Sequence, residues 1–216
     1  MIHFIDVGKW YVIDRDQTAV ILQPTTLSVP TDRRVGLLGA PKSGLSTVVN
    51  MIAGRTPPTI GQIVREGVIS PPVGYLGAVN VKLTAAENAA FFARIYEADP
   101  LEVIDSVLAF ADLGEYEDLP TGKYPMGLRA RVAYALSYAL RFECFLIDDA
   151  IGPRRRDAHE RCRLMLKDVY RDSGLFLATH DPDMLREYCD LALVLKNQTL
   201  IPFTNVEEAI LYHDED

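Results

Sequence analysis

Apolar and polar positions alternate with a period near two through the first third of the chain, take on a helical period after Thr84, and return to alternation around Phe145. Strands are predicted at Ile2–Val7, Thr18–Leu22 and Val35–Leu38, the last preceded by the turn formers Pro30, Thr31 and Asp32. Val35–Leu38 is short and apolar throughout, as a strand buried on both faces should be. A glycine-bearing loop, Gly39-Ala40-Pro41-Lys42-Ser43-Gly44, comes immediately after it, and Leu45–Ala53 has helical spacing until Gly54 stops it. Strand candidates at Gln62–Val64 and Val68–Ile69 lead into Val73-Gly74-Tyr75-Leu76, beyond which the character changes.

From Thr84 to Leu140 the pattern is helical. Thr84 and Glu87 form a capping box ahead of a helix over Asn88–Glu97. A second helix is predicted over Leu101–Leu113 before Gly114, and a third over Gly127–Leu140, where Ala130, Ala133, Tyr134, Leu136 and Ser137 give a small-residue face. Alternation then resumes: strand Phe145–Ile147, helix Asp157–Tyr170, strand Leu175–Ala178, helix Pro182–Tyr188, strand Leu191–Leu195 and a closing amphipathic helix Asn205–Tyr212. Strand-helix-strand order implies an α/β fold whose parallel sheet is covered on both faces. With no repeat, low-complexity segment or linker in the chain, the helical block, about residues 80–141, reads as an insertion within one domain spanning 1–216.

Composition narrows the picture without changing it. A chain of 216 residues that is 49% hydrophobic is long enough for one sizeable core. It contains no uninterrupted apolar run of the roughly 18 residues that a spanning helix needs, so it is not expected to cross a membrane by itself. The opening MIHFIDVGKW lacks the basic flank and apolar run of a secretory signal, which predicts a cytosolic protein. Cys144, Cys162 and Cys189 are widely spaced and form no CxxC pair, so they read as reduced packing residues. A net charge of -8 argues against a nucleic-acid partner, which calls for a basic excess or stripe. The one dense basic run, Arg154-Arg155-Arg156, fits either a solvated helix entrance or a contact with an anionic group.

Three segments carry candidate chemistry. A phosphate-binding loop works because backbone N–H groups converge on phosphates at a helix N-terminus while a lysine after the second glycine neutralises the outer ones. Gly39, Gly44, Ser46 and Thr47 stand at the positions such a loop requires, but Leu45 stands at the lysine. Phe145–Asp149 is an apolar strand ending in two carboxylates: Asp148 suits a role on Mg2+, and Asp149 sits where a base would polarise an attacking water. Capping of a subsequent helix is the plainer use of such acids. Leu177-Ala178-Thr179-His180-Asp181 likewise places a histidine at the carboxyl edge of a strand, where open α/β sheets hold their ligands.

With these residues in order, the chain resembles the ATP-binding subunits of ABC transporters, and is most similar to those that drive capsular polysaccharide export. The resemblance extends through Tyr124–Arg131 and Val132–Ser137, through Gly77–Asn88 with Leu83, Thr84 and Glu87, and through Phe92–Tyr96, and so covers nearly the whole length. It implies a P-loop NTPase fold of ABC type, with a mostly parallel sheet core, an antiparallel N-terminal β part and an inserted helical subdomain. It implies that Tyr11 stacks on adenine, and that Gly39, Lys42, Ser43, Gly44, Leu45, Ser46 and Thr47 form the phosphate loop. Ser46, Asn80 and Asp148 would face Mg2+, Asp149 would stand at the catalytic carboxylate, and His180 would contact the outermost phosphate. Gly127 and Arg129 match the signature segment that reaches a partner's nucleotide across a head-to-tail dimer.

The departures from the family pattern cluster at this chemistry. Leu45 replaces the loop lysine, Asn80 the usual glutamine, Asp149 the usual glutamate and Pro125 the signature serine; Leu128 fills an often polar position, and Arg155 falls where an acid is expected. Lys42 stands earlier in the loop, where the family carries glycine, and its ammonium either folds back toward the phosphates or points to solvent. The implied function is the cytosolic ATP-binding component of a capsular or cell-surface polysaccharide exporter, at the cytoplasmic face of the inner membrane. ATP and Mg2+ would be its cofactors and a membrane-spanning permease subunit its partner, with a homodimer or a mixed dimer with an intact ATP-binding subunit as its assembly. Either it turns over slowly, or it is a silent pseudo-ATPase acting as scaffold or regulator. A nucleic-acid-associated ATPase of related fold would show a basic surface and long coiled-coil insertions, and neither is present.

Overall fold

A computed structural model describes residues 1–14, 17–149, 152, 160–164 and 172–215. The chain divides into two compact units, one formed by Met1–Pro72, Glu143–Asp149 and Asp172–Asp216, the other by Val73–Phe142 and Ala150–Arg171. The predicted helix over Asp157–Tyr170 is described only at 160–164, where it is helical, and the basic run Arg154–Arg156 lies outside the described residues.

The first unit holds two sheets. A six-stranded sheet has the order β5-β6-β7-β3-β8-β9, with β5 (Ile69–Pro72), β6 (Cys144–Asp148), β7 (Gly174–Thr179), β3 (Arg34–Gly39) and β8 (Leu191–Lys196) parallel and β9 (Thr199–Phe203) antiparallel at the edge. The predicted strands at these positions are present, each longer by a residue or more. Edge strand β9 was not predicted. It comes after a two-residue turn in which Asn197 (φ 50°) and Gln198 (φ 62°) both take left-handed backbone, a geometry usually marked by glycine.

A three-stranded antiparallel sheet, β2-β1-β4, joins β1 (Ile2–Asp14), β2 (Gln17–Val29) and β4 (Ile60–Arg65). Strands β1 and β2 run well beyond the predicted Ile2–Val7 and Thr18–Leu22. Pro24 lies within β2 and masks its continuity in the sequence; the structure tolerates it because β2 is an edge strand whose outer N–H positions need no partner. Between the sheets, Ile2, Phe4, Leu22, Val35, Leu37, Leu146 and Phe176 share one core with Val48, Val49, Met51 and Ile52 of α1 (Leu45–Ile52). Helix α1 stops as predicted, with Ala53 at the C-cap and Gly54 at φ 73°, and Arg65 of β4 donates to the carbonyls of Met51 and Ile52 in its last turn. On another face of the sheet, Leu185 of α5 (Pro182–Tyr188) and Ala209 and Ile210 of α6 (Val206–Asp214) pack with Leu38, Ala192 and Val194.

The second unit is helical. α2 (Ala85–Ile95) starts with the predicted capping box: the Thr84 hydroxyl accepts from Glu87 N–H, and the Glu87 carboxylate accepts from Thr84 N–H. α3 (Pro100–Ala111) begins a residue before the predicted start because Asp99 caps the N–H groups of Leu101 and Glu102 with Pro100 at the first helical position. α4 spans Met126–Tyr138. Val73 and Gly74 form a turn rather than prolonging the strands before them, since Gly74 takes φ 75°, outside the strand region. Its N–H donates to Ser137 Oγ at 3.1 Å, and a Cβ there would lie 2.4 Å from the Tyr134 ring, so the small-residue face of α4 receives this turn. Burial pushes the Cys144, Cys162 and Cys189 thiols up to about 12, as suits packing thiols held in the neutral form.

Candidate functional site

The parallel strands β3, β6 and β7 end at one edge of the sheet, and their carboxyl ends, with the loops that leave them, line a cavity of about 420 Å³. From the loop after β3 come Pro41, Lys42, Gly44, Leu45, Ser46 and Thr47; from the end of β6 come Asp148 and Asp149; from the turn after β7 comes His180. Ile21 of β2 completes the lining. Adjacent parallel strands point their carboxyl ends the same way, so three distant segments of sequence meet at one crevice.

The loop is shaped by its own backbone. Ser43 N–H donates to Ala40 C=O at 3.0 Å, and Gly44 caps α1 at φ 111° while its carbonyl accepts from Thr47 and Val48 N–H. Any Cβ at Gly44 would stand 2.3 Å from Ile21 Cγ2, so both the backbone angle and the close approach of β2 demand glycine here. The N–H groups of Leu45 and Ser46, at the start of α1, have no backbone partner among the described residues, as an anion site requires. Gly39 is buried beneath the loop, and a Cβ on it would sit 2.8 Å from Ser43 Oγ and 3.0 Å from Leu45 Cδ2. Ser43 Oγ is buried without a hydrogen-bond partner among the described residues. Leu45 is half-buried and packs against the core cluster, so its side chain serves the hydrophobic interior.

Two polar pairs span the strand ends. Ser46 Oγ donates to Asp148 Oδ1 at 3.0 Å, and His180 Nδ1 lies 2.7 Å from Asp149 Oδ1. Burial holds the Asp148 carboxyl above its ordinary range and the Asp149 charge adds to this, against the Ser46 hydroxyl and the Arg55 guanidinium. Asp149 takes left-handed backbone (φ 64°) as its N–H bonds Ala178 C=O at 2.8 Å, which turns the chain out of the β6 ladder beside β7. His180 is set by a tight turn in which Thr179 Oγ1 accepts from Asp181 N–H, and Asp181 in turn caps α5. The hydroxyl and carboxylate of Ser46 and Asp148 are hard oxygen donors, which fit Mg2+ bound together with substrate phosphates.

In sequence, the chain is 34% identical over 195 residues to the ATP-binding protein BexA of Haemophilus influenzae, covering 90% of each. It is 33% identical over 218 residues to the capsule polysaccharide export ATP-binding protein CtrD of Neisseria meningitidis, covering 99% of each. It is 32% identical over 205 residues to the polysialic acid transport ATP-binding protein KpsT of Escherichia coli, covering 91% of each. The chain belongs to the family of ATP-binding subunits of ABC transporters, and is similar to those of capsular polysaccharide export systems. No family model matches it. Among solved structures, a dimeric ATP-binding cassette in a post-hydrolysis state, bound to ADP and Pi, superposes with a TM-score of 0.75 at 20% identity, covering 93% of this chain and 96% of that one. The structure of an ATP-binding subunit of an ABC transporter gives 0.75 at 18% identity over the full length of both. At such identities the likeness establishes the fold, that of an ABC cassette.

Of the remaining predicted site residues, Tyr11 belongs to the first unit, and Asn80, Gly127 and Arg129 belong to the helical unit. Tyr11 is exposed on β1 opposite Ala19 of β2, and the Lys9 ammonium sits 4.7 Å from its ring centroid while donating to Pro57 C=O at 2.9 Å. Asn80 belongs to the helical unit, where its side-chain oxygen accepts from Lys82 N–H at 3.1 Å. Gly127 is exposed in the first turn of α4, with open space around its Cα, and Arg129 contacts Met126 Sδ at 3.4 Å. Pro125 forms the N-cap of α4 without a side-chain bond, and the helix runs on from Met126 without interruption.

Sequence reasoning missed three participants. Ile21 reaches the loop because β2 carries one more residue than β1 between the pairs Lys9↔Leu22 and Trp10↔Val20, a bulge that re-aims its side chain. Arg55, just beyond α1, acts on Asp148 through its charge. Asn88, fully buried on α2, clasps Asn80: its amide oxygen accepts from Asn80 N–H and its nitrogen donates to the carbonyls of Asn80, Leu83 and Thr84. A polar residue one position past a capping box on an otherwise apolar face is the one sequence signal that could have marked it.

Proposed function

We propose that this chain is the ATP-binding subunit of a transporter exporting capsular or cell-surface polysaccharide, and that it binds Mg-ATP with reduced affinity and turns it over slowly. The observation that carries this reading is the pair of contacts across the cavity, Ser46 with Asp148 and Asp149 with His180. In this reading Ser46 and Asp148 hold Mg2+, which would neutralise phosphate charge, while Asp149 orients the attacking water and His180 meets the outermost phosphate. Thr47 and the N–H groups of α1 cradle the phosphates, Tyr11 offers its exposed face to adenine, and Asn80 would serve Mg2+ as its family position implies. The whole chain would act as one nucleotide-binding domain, with that subdomain, about residues 80–141, docking on a membrane-spanning permease at the inner membrane. Gly127 and Arg129 would complete a second chain's site, in a homodimer or in a mixed dimer with an intact subunit.

A second reading, a silent pseudo-ATPase acting as scaffold or regulator, is favoured by Leu45, an uncharged side chain that packs half-buried against the core where the family places a lysine. Calorimetric titration of Mg-ATP into the native protein and into Leu45→Lys, with phosphate release measured alongside, separates the two. Native binding with slow turnover supports the first reading. Binding that appears only in Leu45→Lys supports the second, and binding by neither removes the nucleotide site altogether.

A further inference from the structure

We propose that Lys42 supplies the phosphate-neutralising charge that Leu45 lacks, binding the outer phosphates from the loop rather than from the first turn of α1. This deepens the nucleotide-site reading above and rests on it. Three observations support it. Lys42 lines the same cavity as Ser46, Asp148, Asp149 and His180, and among the described lining residues it is the one carrying an ammonium or guanidinium. Its backbone takes φ 68°, a region that favours glycine, yet the chain keeps a lysine there. Its side chain is exposed and no acidic group among the described residues holds it, so the ammonium is free to turn inward.

The charge balance of the cavity calls for such a cation. Asp148 and Asp149 both line it, and even with Mg2+ held at Asp148 the remaining negative charge of a polyphosphate meets Asp149. Lys42 stands in the loop, three residues before Leu45, so its ammonium would meet the phosphates from an exposed position in the lining. Each phosphate contact made there is charge-assisted, and it is also more exposed to screening by salt than one made at the helix.

The test is calorimetric titration of Mg-ATP and of adenosine into the native protein, Lys42→Met and Lys42→Gly, each at low and high salt. Lys42→Met is expected to weaken Mg-ATP binding about ten- to a hundred-fold and to flatten its salt dependence, with adenosine affinity unchanged. Lys42→Gly relieves the backbone angle yet loses the same affinity, which assigns the loss to the charge. Adding Leu45→Lys to Lys42→Met restores binding if the two positions serve the same phosphates. Native-like Mg-ATP affinity in both single variants overturns the inference while leaving the nucleotide site intact. An absence of native binding that only Leu45→Lys repairs also overturns it, and an absence in every background overturns the nucleotide-site reading itself.

Discussion

At the scale of single residues, the cavity concentrates groups whose function conflicts with stability. Asp148 is held partly out of water, so its carboxyl keeps its proton to higher pH than the ordinary value of 3.8. Because the folded state then binds this proton more tightly than the unfolded state, the group's contribution to stability falls as pH rises from the unfolded value through the folded one. Asp148→Asn is therefore expected to raise or preserve the thermal midpoint at pH 7 while abolishing Mg2+-dependent nucleotide binding; a clear loss of stability would contradict the assignment. The Asp149–His180 pair makes a different prediction. His180→Gln should lower turnover by about a hundred-fold or more while changing Mg-ATP affinity little, as measured by single-turnover phosphate release.

At the scale of elements, close approach decides where residues can change. A Cβ at Gly36 in the centre of β3 would stand 2.0 Å from Leu185 Cδ1 and 3.0 Å from Cys189 Sγ, so α5 sits directly on the strand. Gly36→Ala is expected to cost about 1–3 kcal/mol in urea unfolding, and combining it with Leu185→Ala should cost less than the sum of the two single changes. Asn88 makes the corresponding case in the helical unit. Asn88→Ala removes the acceptor of the Asn80 N–H and one of the donors to each of the Asn80, Leu83 and Thr84 carbonyls, an expected loss of about 1–3 kcal/mol, whereas Thr84→Ala at the capping box should cost about 1. If both proved neutral, the clasp and the cap would be ornamental to the loop that carries Asn80.

For the whole molecule, the net charge is -8, and no helix among the described residues is long and apolar enough to cross a membrane. Ligand linkage gives the global test. Mg-ATP at a hundred times its dissociation constant should stabilise the native chain by about 2.7 kcal/mol, read as an upward shift in the thermal midpoint. Leu45→Lys should reach the same shift at lower nucleotide concentration. No shift in either protein at millimolar Mg-ATP would count against the nucleotide site as a whole.

Sequence alone determined the elements whose signals are local. Gly54 after α1, Thr84 and Glu87 before α2, and the apolar strands ending at Asp148 and Thr179 each satisfy a rule confined to a few neighbours, and all are present. The loop Gly39–Thr47 was legible for the same reason, because a strand, two glycines and a helix start lie within one short stretch. Tertiary structure decided the rest. The bulge that aims Ile21 at Gly44 and the packing of half-buried Leu45 against the core depend on partners far along the chain. So do the two pairs that define the site: Ser46 and Asp148 are 102 residues apart in sequence, and only the parallel order of β3, β6 and β7 brings them within a hydrogen bond.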